Sequence, residues 1–466
     1  MTKGNTNLRK NIGKGFAWST RSVSLAANVA LIGYITFYCT DVLGMSASLV
    51  GIILMVSKFF DGITDLISGF MIDNTRTKWG KARPYELCIV PIWIFTILLF
   101  MAPKASIGLQ AAYVLIMYTL VQSIFVSLLH SGEPVYLLRS FRSDKDRVAT
   151  LTVSSLIATL IGSIFTMALP KLVANAGTSS ASWVKMVICI SIPFAIIGLL
   201  RFFLIKEVDI ESSDYSNRER LKEHDKKKEH LKFLDGFKAI GKNKFLIIFS
   251  IMLFMIIMCA GLLGSASIYY FKYWVGDIGA MSLFNATVLA SLIMMVLFAT
   301  LSNKFGKGNV LKAGLVIAAV GVLLRWVGGT NMVTMVVGTS LMFFGISPIA
   351  SFSNIYVIDC IEYGQWKNGT RVEGMAGAVT GFATKIANGL AIAIGGFILG
   401  IAGYDGKLEV QTDSAMKAID LLFNALPSLI LIAMIIVSIL FFNIDKVLPT
   451  ARKELAERRA DMSSDH

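Results

Sequence analysis

Apolar runs long enough to cross a membrane recur along almost the whole of this 466-residue chain. Each run holds about 20 or more residues, the length that an α-helix needs to span the hydrocarbon core of a bilayer. Because loops and open strands cannot satisfy their backbone groups in lipid, such runs predict transmembrane α-helices. The sequence predicts twelve of them, near 16–38, 46–72, 85–103, 108–138, 150–173, 183–205, 244–271, 280–302, 310–328, 332–359, 374–402 and 416–443.

The distribution of basic residues indicates how the chain is oriented. Cytoplasmic loops of membrane proteins carry an excess of Lys and Arg. With a cytoplasmic N-terminus, 33 of the 44 Lys and Arg residues fall in inside segments and six in outside segments. We therefore predict a multi-pass protein of the cell membrane with both termini cytoplasmic. The net charge of +14 then reflects these loops, and we expect no nucleic-acid partner.

The chain lacks the motifs of several other function classes. None of its five cysteines forms a CxxC pair, which argues against a disulfide framework and a zinc site. It has only four histidines and no phosphate-binding loop of the GxxxxGK[ST] type. We therefore expect neither an enzyme nor an ATP-driven pump, and no cofactor or resident metal.

The twelve segments divide into two sets of six around one long polar stretch. Gly80-Lys81 follows the second segment and Gly306-Lys307 follows the eighth, 226 residues later. This weak repeat fits the two parallel halves of major facilitator transporters, although two ordinary basic loops would look the same. The predicted organisation is an N-terminal bundle at 1–205, a cytoplasmic linker at 206–243, a C-terminal bundle at 244–445 and a cytoplasmic tail at 446–466.

Three charged residues lie at membrane depth in the second predicted span. A charge there is costly and by default indicates function. Lys58, Asp61 and Asp65 are spaced by three and four residues, so they share one helix face. The two acids, with the hydroxyl of Thr64, could coordinate Na⁺ or share a proton. The alternative is an ion-pair cluster with Lys58 that only fixes helix packing.

Two further charges are predicted to lie inside the membrane. Lys385 is about twelve residues inside the eleventh predicted span, too deep to reach the surface easily. It needs a carboxylate, which either the acids of the second span or a residue of its own half can supply. Glu133 precedes Pro134 in the fourth span. Such a break can line a cavity, but a plain kink explains it equally well.

Several motifs are distributed over most of the chain. They are Tyr38-x-Thr40-Asp41-Val42-Leu43-Gly44, Asp61-x-x-x-Asp65, Thr75-Arg76-x-Lys78-Trp79-Gly80-Lys81-x-Arg83-Pro84, Asp359-x-x-Glu362-Tyr363-Gly364-Gln365-Trp366-Lys367-x-Gly369-x-Arg371-x-Glu373-Gly374, and Lys385 in the eleventh span. Together they resemble the glycoside–pentoside–hexuronide:cation symporter family, which includes the melibiose carriers.

The resemblance implies a twelve-helix major facilitator fold with a central sugar site that opens alternately to each side. It also implies co-transport with Na⁺, H⁺ or Li⁺, with Asp61 and Asp65 as cation carboxylates and Thr64 at a further cation position. The loop residues Arg76, Gly80, Lys81 and Arg83 belong to its cytoplasmic loop motif. The cytoplasmic charge network that holds the outward-facing state would consist of Asp359, Glu362, Lys367 and Arg371. Lys58 and Lys385, at membrane depth, are the further candidates for coupling.

Two positions in the first and fourth spans depart from the family pattern. Arg21 stands where many members have an acid, and Tyr136 where the melibiose carriers have tryptophan. An arginine can bind a carboxylate or sulfonate through two parallel hydrogen bonds. This predicts an anionic substrate such as a hexuronide, with Arg21, Glu133 and Tyr136 as substrate-binding candidates. The other interpretation is that Arg21 reaches the cytoplasmic end of its helix, or pairs with Glu133 or an acidic loop residue.

We therefore expect an all-α membrane transporter that imports a sugar or glycoside together with H⁺ or Na⁺, working as a monomer in the bilayer. A lipid or lysolipid transporter of the same fold is one alternative, and it would need an apolar cavity. A substrate sensor that no longer transports is another. Such a sensor has no need of cation coupling, so the acids of the second span argue against it.

Overall fold

The structure is a computed structural model, and it describes residues 2–75, 77–103, 105–141, 144–207, 241–369 and 373–464. Helices make up nearly all of its regular structure. The first six predicted spans correspond to α1 (Thr2–Ile32), α2 (Ala47–Asn74), α3 (Ile89–Leu99), α4 (Ile107–Thr119) with α5 (Val126–Ser140), α6 (Asp144–Ala176) and α7 (Ser180–Leu204).

Helices also occupy the six predicted spans of the second half. These are α8 (Lys244–Tyr270), α9 (Met281–Ala286) with α10 (Ala290–Phe305), α11 (Lys307–Val327), α12 (Met332–Asn368), α13 (Glu373–Ile401) and α14 (Asp413–Asp420) with α15 (Leu426–Phe441). A last helix, α16 (Ile444–Ser464), covers the predicted tail. Most of the predicted linker at 206–243 lies outside the described residues.

Ten helices in the described part of the chain are long and apolar enough to cross a membrane. The two remaining predicted spans are also helical. In α2 the described apolar stretch runs from Ala47 to Lys58, and α3 has only 11 residues. The all-α membrane fold is therefore confirmed, while the count of twelve spans stays a prediction.

Among the described residues, four short segments are wound as π-helix, with one extra residue in the turn. They are Tyr38–Val42, Leu120–Phe125, Phe271–Val275 and Leu421–Ala425. Such turns are rare in proteins and frequently occur at functional sites. Each segment presents a polar side chain that makes a buried or half-buried contact: Asp41, Ser123, Lys272 and Asn424.

Helix α12 changes direction in its middle. Pro348 lacks the N–H that would continue the helical ladder, and Phe352 has non-helical angles of φ −117° and ψ 21°. The ring of Phe352 stacks on Phe298 of α10, with centroids 4.0 Å apart and planes 10° apart. The irregular turn is therefore held by an aromatic contact.

The chain forms two compact units. The first unit comprises Met1–Glu223, Phe271–Asn285 and Ala393–Met416, and the second comprises His224–Tyr270, Ala286–Ile392 and Lys417–His466. The first unit thus includes two pieces of chain from beyond the predicted linker. The predicted domain limits at 205, 243 and 445 stay predictions.

Candidate functional site

Lys58, Asp61 and Thr64 follow one another along α2, as their spacing predicts. Lys58 Nζ lies 3.1 Å from Oδ2 of Asp61, which is buried. The hydroxyl of Thr64 lies 2.9 Å from the carbonyl oxygen of Phe60 and 3.1 Å from that of Asp61. Its proton is therefore used, and its oxygen lone pairs remain for a cation. The side chain of Asp65 lies outside the described residues, so the two-carboxylate site stays a prediction.

Two hydroxyl groups of the fourth predicted span contact α2, and one of them contacts the Asp61 carboxylate. Ser123, in the π-helical segment Leu120–Phe125, contacts Oδ1 of Asp61 and lies 3.0 Å from the carbonyl oxygen of Ser57. Thr119 donates a hydrogen bond of 3.0 Å to the Ser57 hydroxyl. The sequence analysis missed these residues. Their signal was the four-residue spacing of two hydroxyls in an otherwise apolar run.

Arg21 has two carboxylate partners in the first unit. Its Nη2 lies 2.6 Å from Glu133, and its Nη1 lies 3.3 Å from Glu86 and 3.0 Å from the carbonyl oxygen of Leu129. The Arg21 side chain is 1% exposed, whereas that of Glu133 is 28% exposed. Pairing with Glu133, the second interpretation of the sequence, is what the structure shows. An anionic substrate would have to displace this carboxylate.

Arg201, which the sequence analysis did not assign, completes the same buried cluster. Its guanidinium lies 3.5 Å from Glu133 and 3.7 Å from Glu86. Its Cζ atom is 3.3 Å from the ring centroid of Trp18, in cation–π geometry. Tyr136 stacks on Trp18 and is fully buried, and its hydroxyl donates to the carbonyl oxygen of Ile205 at 2.8 Å. A sugar contact by Tyr136 stays a prediction.

The loop motif after α2 wraps around the carboxylate of Glu207. Glu207 accepts hydrogen bonds from the backbone N–H groups of Lys81, Ala82 and Arg83, at 2.9, 2.7 and 2.7 Å. Gly80 has φ +115°, a conformation that glycine adopts without steric cost. A Cβ atom at Gly80 would overlap the Glu207 carboxylate. The loop motif therefore has a structural partner three residues beyond α7.

The second unit contains a matching arrangement. The backbone N–H of Gly308 donates to Oδ2 of Asp445 at 2.5 Å, and Gly306 has φ +84°. Asp445 follows α15 by four residues, as Glu207 follows α7 by three. In both halves a carboxylate beyond the sixth predicted span closes the Gly-Lys turn. This shared geometry supports the weak repeat far better than the dipeptide does.

The acids predicted for the cytoplasmic network lie near the C-terminal end of α12. Asp359 is buried and pairs with Lys307 and, at 3.0 Å, with Arg452 of α16. Arg452 also lies 2.6 Å from Glu362. Lys367 is exposed, with its Nζ 6.0 Å from the ring of the preceding tryptophan. These contacts lie within the second unit, and a role in holding one transport state stays a prediction.

Three other predicted residues are placed less completely. Lys385 is exposed on α13, and its pairing with an acid of the second span stays a prediction. Arg76 and Arg371 lie outside the described residues.

A polar contact that the sequence analysis missed lies in the first unit. Lys272 contacts Oδ1 of Asp41, and Nζ of Lys272 lies 5.3 Å from the ring of Phe37. The hydroxyl of Tyr404 lies 3.0 and 2.9 Å from the two carboxylate oxygens of Asp41. Asp41 and Lys272 both belong to π-helical segments. Residues just beyond the first, seventh and eleventh predicted spans thus meet at one carboxylate.

Comparisons with known proteins identify the family of the chain. The family model described as MFS/sugar transport protein matches residues 23–446. An isoprimeverose transporter of Lactiplantibacillus pentosus is 28% identical over 454 residues, which cover 96% of this chain and 91% of the relative. A putative sulfoquinovose importer of Escherichia coli (strain K12) is 26% identical over 417 residues, with 89% and 86% covered.

Solved structures show the same fold at low sequence identity. A D-xylose-proton symporter has a TM-score of 0.55 and 15% identity, with 92% of this chain and 96% of that chain covered. A nucleoside transporter has a TM-score of 0.57 and 14% identity, with 91% of this chain and 98% of that chain covered. The family match covers most of the sequence and confirms the resemblance based on the motifs. The chain therefore belongs to the MFS sugar transport protein family, as a multi-pass membrane transporter and not an enzyme.

Proposed function

We propose that this protein is a secondary active transporter that moves a sugar or glycoside together with a cation, H⁺ or Na⁺, by alternating access. The proposal includes twelve spans, both termini in the cytoplasm and a monomer in the bilayer. Family membership supports sugar transport. The observation that carries the coupling is the buried Asp61 carboxylate, 3.1 Å from Lys58 and in contact with the Ser123 hydroxyl.

This arrangement gives a simple coupling chemistry. While no cation is bound, the Lys58 ammonium neutralises Asp61, which would otherwise be a costly charge at membrane depth. A proton can neutralise the carboxylate directly. A Na⁺ ion can take its place beside oxygen ligands from Asp61, Ser123 and Thr64, with Asp65 as the predicted second carboxylate. In either case the cation replaces Lys58 as the partner of Asp61, and coupling follows if this change favours the same state as sugar binding.

The test is uptake by proteoliposomes with Na⁺ and pH gradients imposed separately. The panel contains isoprimeverose, sulfoquinovose, methyl β-D-glucoside and methyl β-D-glucuronide. We expect Asp61→Asn to abolish gradient-driven accumulation, because the amide has no charge to exchange between Lys58 and a cation. Exchange of labelled sugar down its own gradient should persist. The matched control is Asp405→Asn, which changes an exposed carboxylate of the loop after α13.

Accumulation by Asp61→Asn at the wild-type level would contradict the coupling role. Substrate binding without uptake by the wild type would favour the sensor, and uptake of a lysolipid but of no sugar would favour the lipid transporter. The gradient that drives the wild type identifies the cation.

A further inference from the structure

The second unit contains a cavity of about 560 Å³ that the sequence analysis did not anticipate. It lies between α8, α10, α12 and α13, with Val288 just before α10. Its volume falls within the range of small-molecule binding sites, about 300–1,000 Å³. Such sites are mostly apolar and contain a few polar groups that orient the ligand.

The lining of this cavity is mostly apolar, and its polar groups are uncharged. None of the described residues that line it is Asp, Glu, Lys, Arg or His. Lys385 follows the lining residue Thr384 in sequence but is not part of the wall. Apolar side chains form most of the surface, and Phe343 adds an aromatic ring. The polar side chains that line the cavity include Ser291, Ser351, Ser353, Asn354 and Thr384.

Some of these polar groups are already used by the helices that carry them. Ser291 donates to the carbonyl oxygen of Val288 at 2.6 Å, and Thr384 donates to that of Gly381 at 2.8 Å. Asn354 differs, because its exposed side chain has no hydrogen-bond partner among the described residues. An amide offers two donors and one acceptor, which match the hydroxyl groups of a polyol.

The irregular turn of α12 brings Asn354 to this wall. Non-helical backbone at membrane depth is tolerated where it is buried in protein or lines a cavity. Phe352, the residue with non-helical angles, lies between the cavity residues Ser351 and Ser353. Its stacking on Phe298 fixes the backbone of the turn, and this turn places Ser353 and Asn354 along the cavity wall.

We propose that this cavity binds a neutral sugar ring. Asn354 and Ser353 pair with its hydroxyl groups, and the ring of Phe343 covers its apolar face. The inference rests on the proposed sugar transport and narrows the substrate class to uncharged sugars. A carboxylate or sulfonate in this cavity would lose its hydration without gaining a cationic partner from the described wall. Arg21 in the first unit already has two carboxylates.

The test is calorimetric binding to the purified, full-length protein in detergent. The probes are methyl β-D-xyloside and the pair methyl β-D-glucoside and methyl β-D-glucuronide, which differ only in the group at C6. We expect a neutral glycoside to bind and the glucuronide to bind at least tenfold more weakly. Asn354→Ala should weaken neutral-sugar binding about tenfold, equivalent to about 1.4 kcal/mol. Ser353→Ala should weaken it severalfold.

The matched control is Asn309→Ala, which removes an exposed amide at the start of α11. A monodisperse gel-filtration peak for each variant separates loss of binding from loss of fold. Equal binding of neutral sugar by wild type and Asn354→Ala, or tighter binding of the glucuronide by the wild type, would overturn the inference while leaving sugar transport intact. Failure of the wild type to bind or transport any sugar would refute the proposed function itself.

Discussion

Glu207 shows how one side chain can determine the conformation of a whole loop. Its carboxylate accepts three successive backbone N–H groups and lies 2.7 Å from Nε of Arg139, while its side chain is only 3% exposed. Hydrogen bonds to a charged group contribute about 1.5–3 kcal/mol each, and the buried donors would otherwise lack partners. The loop motif therefore depends on a residue that lies outside it.

We expect Glu207→Ala to lower the free energy of unfolding by about 3 kcal/mol. Glu207→Gln should cost less, because the amide retains one acceptor oxygen for the loop. Thermal unfolding of the purified protein measures both. Glu457→Ala serves as the control, because that side chain is 61% exposed and its ion pair with Lys453 is weak, with 4.0 Å between the charged atoms. Equal melting temperatures for Glu207→Ala and the control would refute the role of Glu207.

For single residues, contacts between side chains on the same helix were predictable, and contacts between distant segments of the chain were not. The proximity of Lys58 and Asp61 follows from a three-residue spacing on one helix. Ser123, 62 residues from Asp61, and Glu207, 126 residues from Lys81, reach their partners only through tertiary packing. A single sequence carries no signal for such distances. The role of Arg21 stayed open for the same reason, since its partner Glu86 is 65 residues away.

Helices α11 and α12 pack through glycines at matched positions. A Cβ atom at Gly314 would overlap the carbonyl oxygen of Gly345, and one at Gly321 would overlap that of Gly338. Small residues let helix backbones approach closely in membranes, where van der Waals packing replaces the hydrophobic effect. The two glycines on each helix are seven residues apart, so both contacts lie on the same face of that helix.

We therefore expect Gly321→Ala to destabilise the protein by about 1–3 kcal/mol, the usual cost of overpacking. The backbone of α12 cannot move aside as a flexible side chain would. Gly264→Ala is the matched control, because a Cβ atom there meets nothing within 4 Å. That change should be neutral or slightly stabilising, because alanine has a higher helix propensity than glycine. Equal melting temperatures for Gly321→Ala and Gly264→Ala would show that the two helices can move apart without cost.

Among the secondary-structure elements, the π-helical segments are the ones that the periodicity of the sequence could not predict. An extra residue in a turn rotates everything beyond it by about 100°, so a side chain leaves the face that regular spacing assigns to it. In this way Asp41 and Lys272 come to share a contact, and Asn424 reaches Nε of Arg325 at 3.1 Å. Hydropathy predicted that these parts of the chain are helical, but it did not indicate that they change from α-helix to π-helix.

At the scale of the molecule, the positions of the helices were the most predictable property. Every predicted apolar segment is helical in the structure, because segment length and the need to satisfy backbone groups in lipid leave few alternatives. The cavity of the second unit was unpredictable. Four separate helices form its wall, and their serines and threonines occur at no diagnostic spacing.

We predict the orientation of the molecule in the membrane from the uneven distribution of Lys and Arg. We expect green fluorescent protein fused after His466 to fluoresce, because that protein folds well in the cytoplasm. Alkaline phosphatase inserted after Asp405 should be active, because it needs the outside compartment. The reverse pair of fusions provides the control and should be silent. An active phosphatase at the C-terminus would refute the predicted orientation.

The carboxylate closures of the two Gly-Lys turns also bear on how the chain emerges from the ribosome. Lys81 is synthesised 126 residues before Glu207, and Gly308 is synthesised 137 residues before Asp445. At about 5–20 residues per second, the first turn waits about 6–25 s for its acceptor. Each Gly-Lys turn can thus be closed only after the carboxylate that accepts its backbone N–H groups has left the exit tunnel.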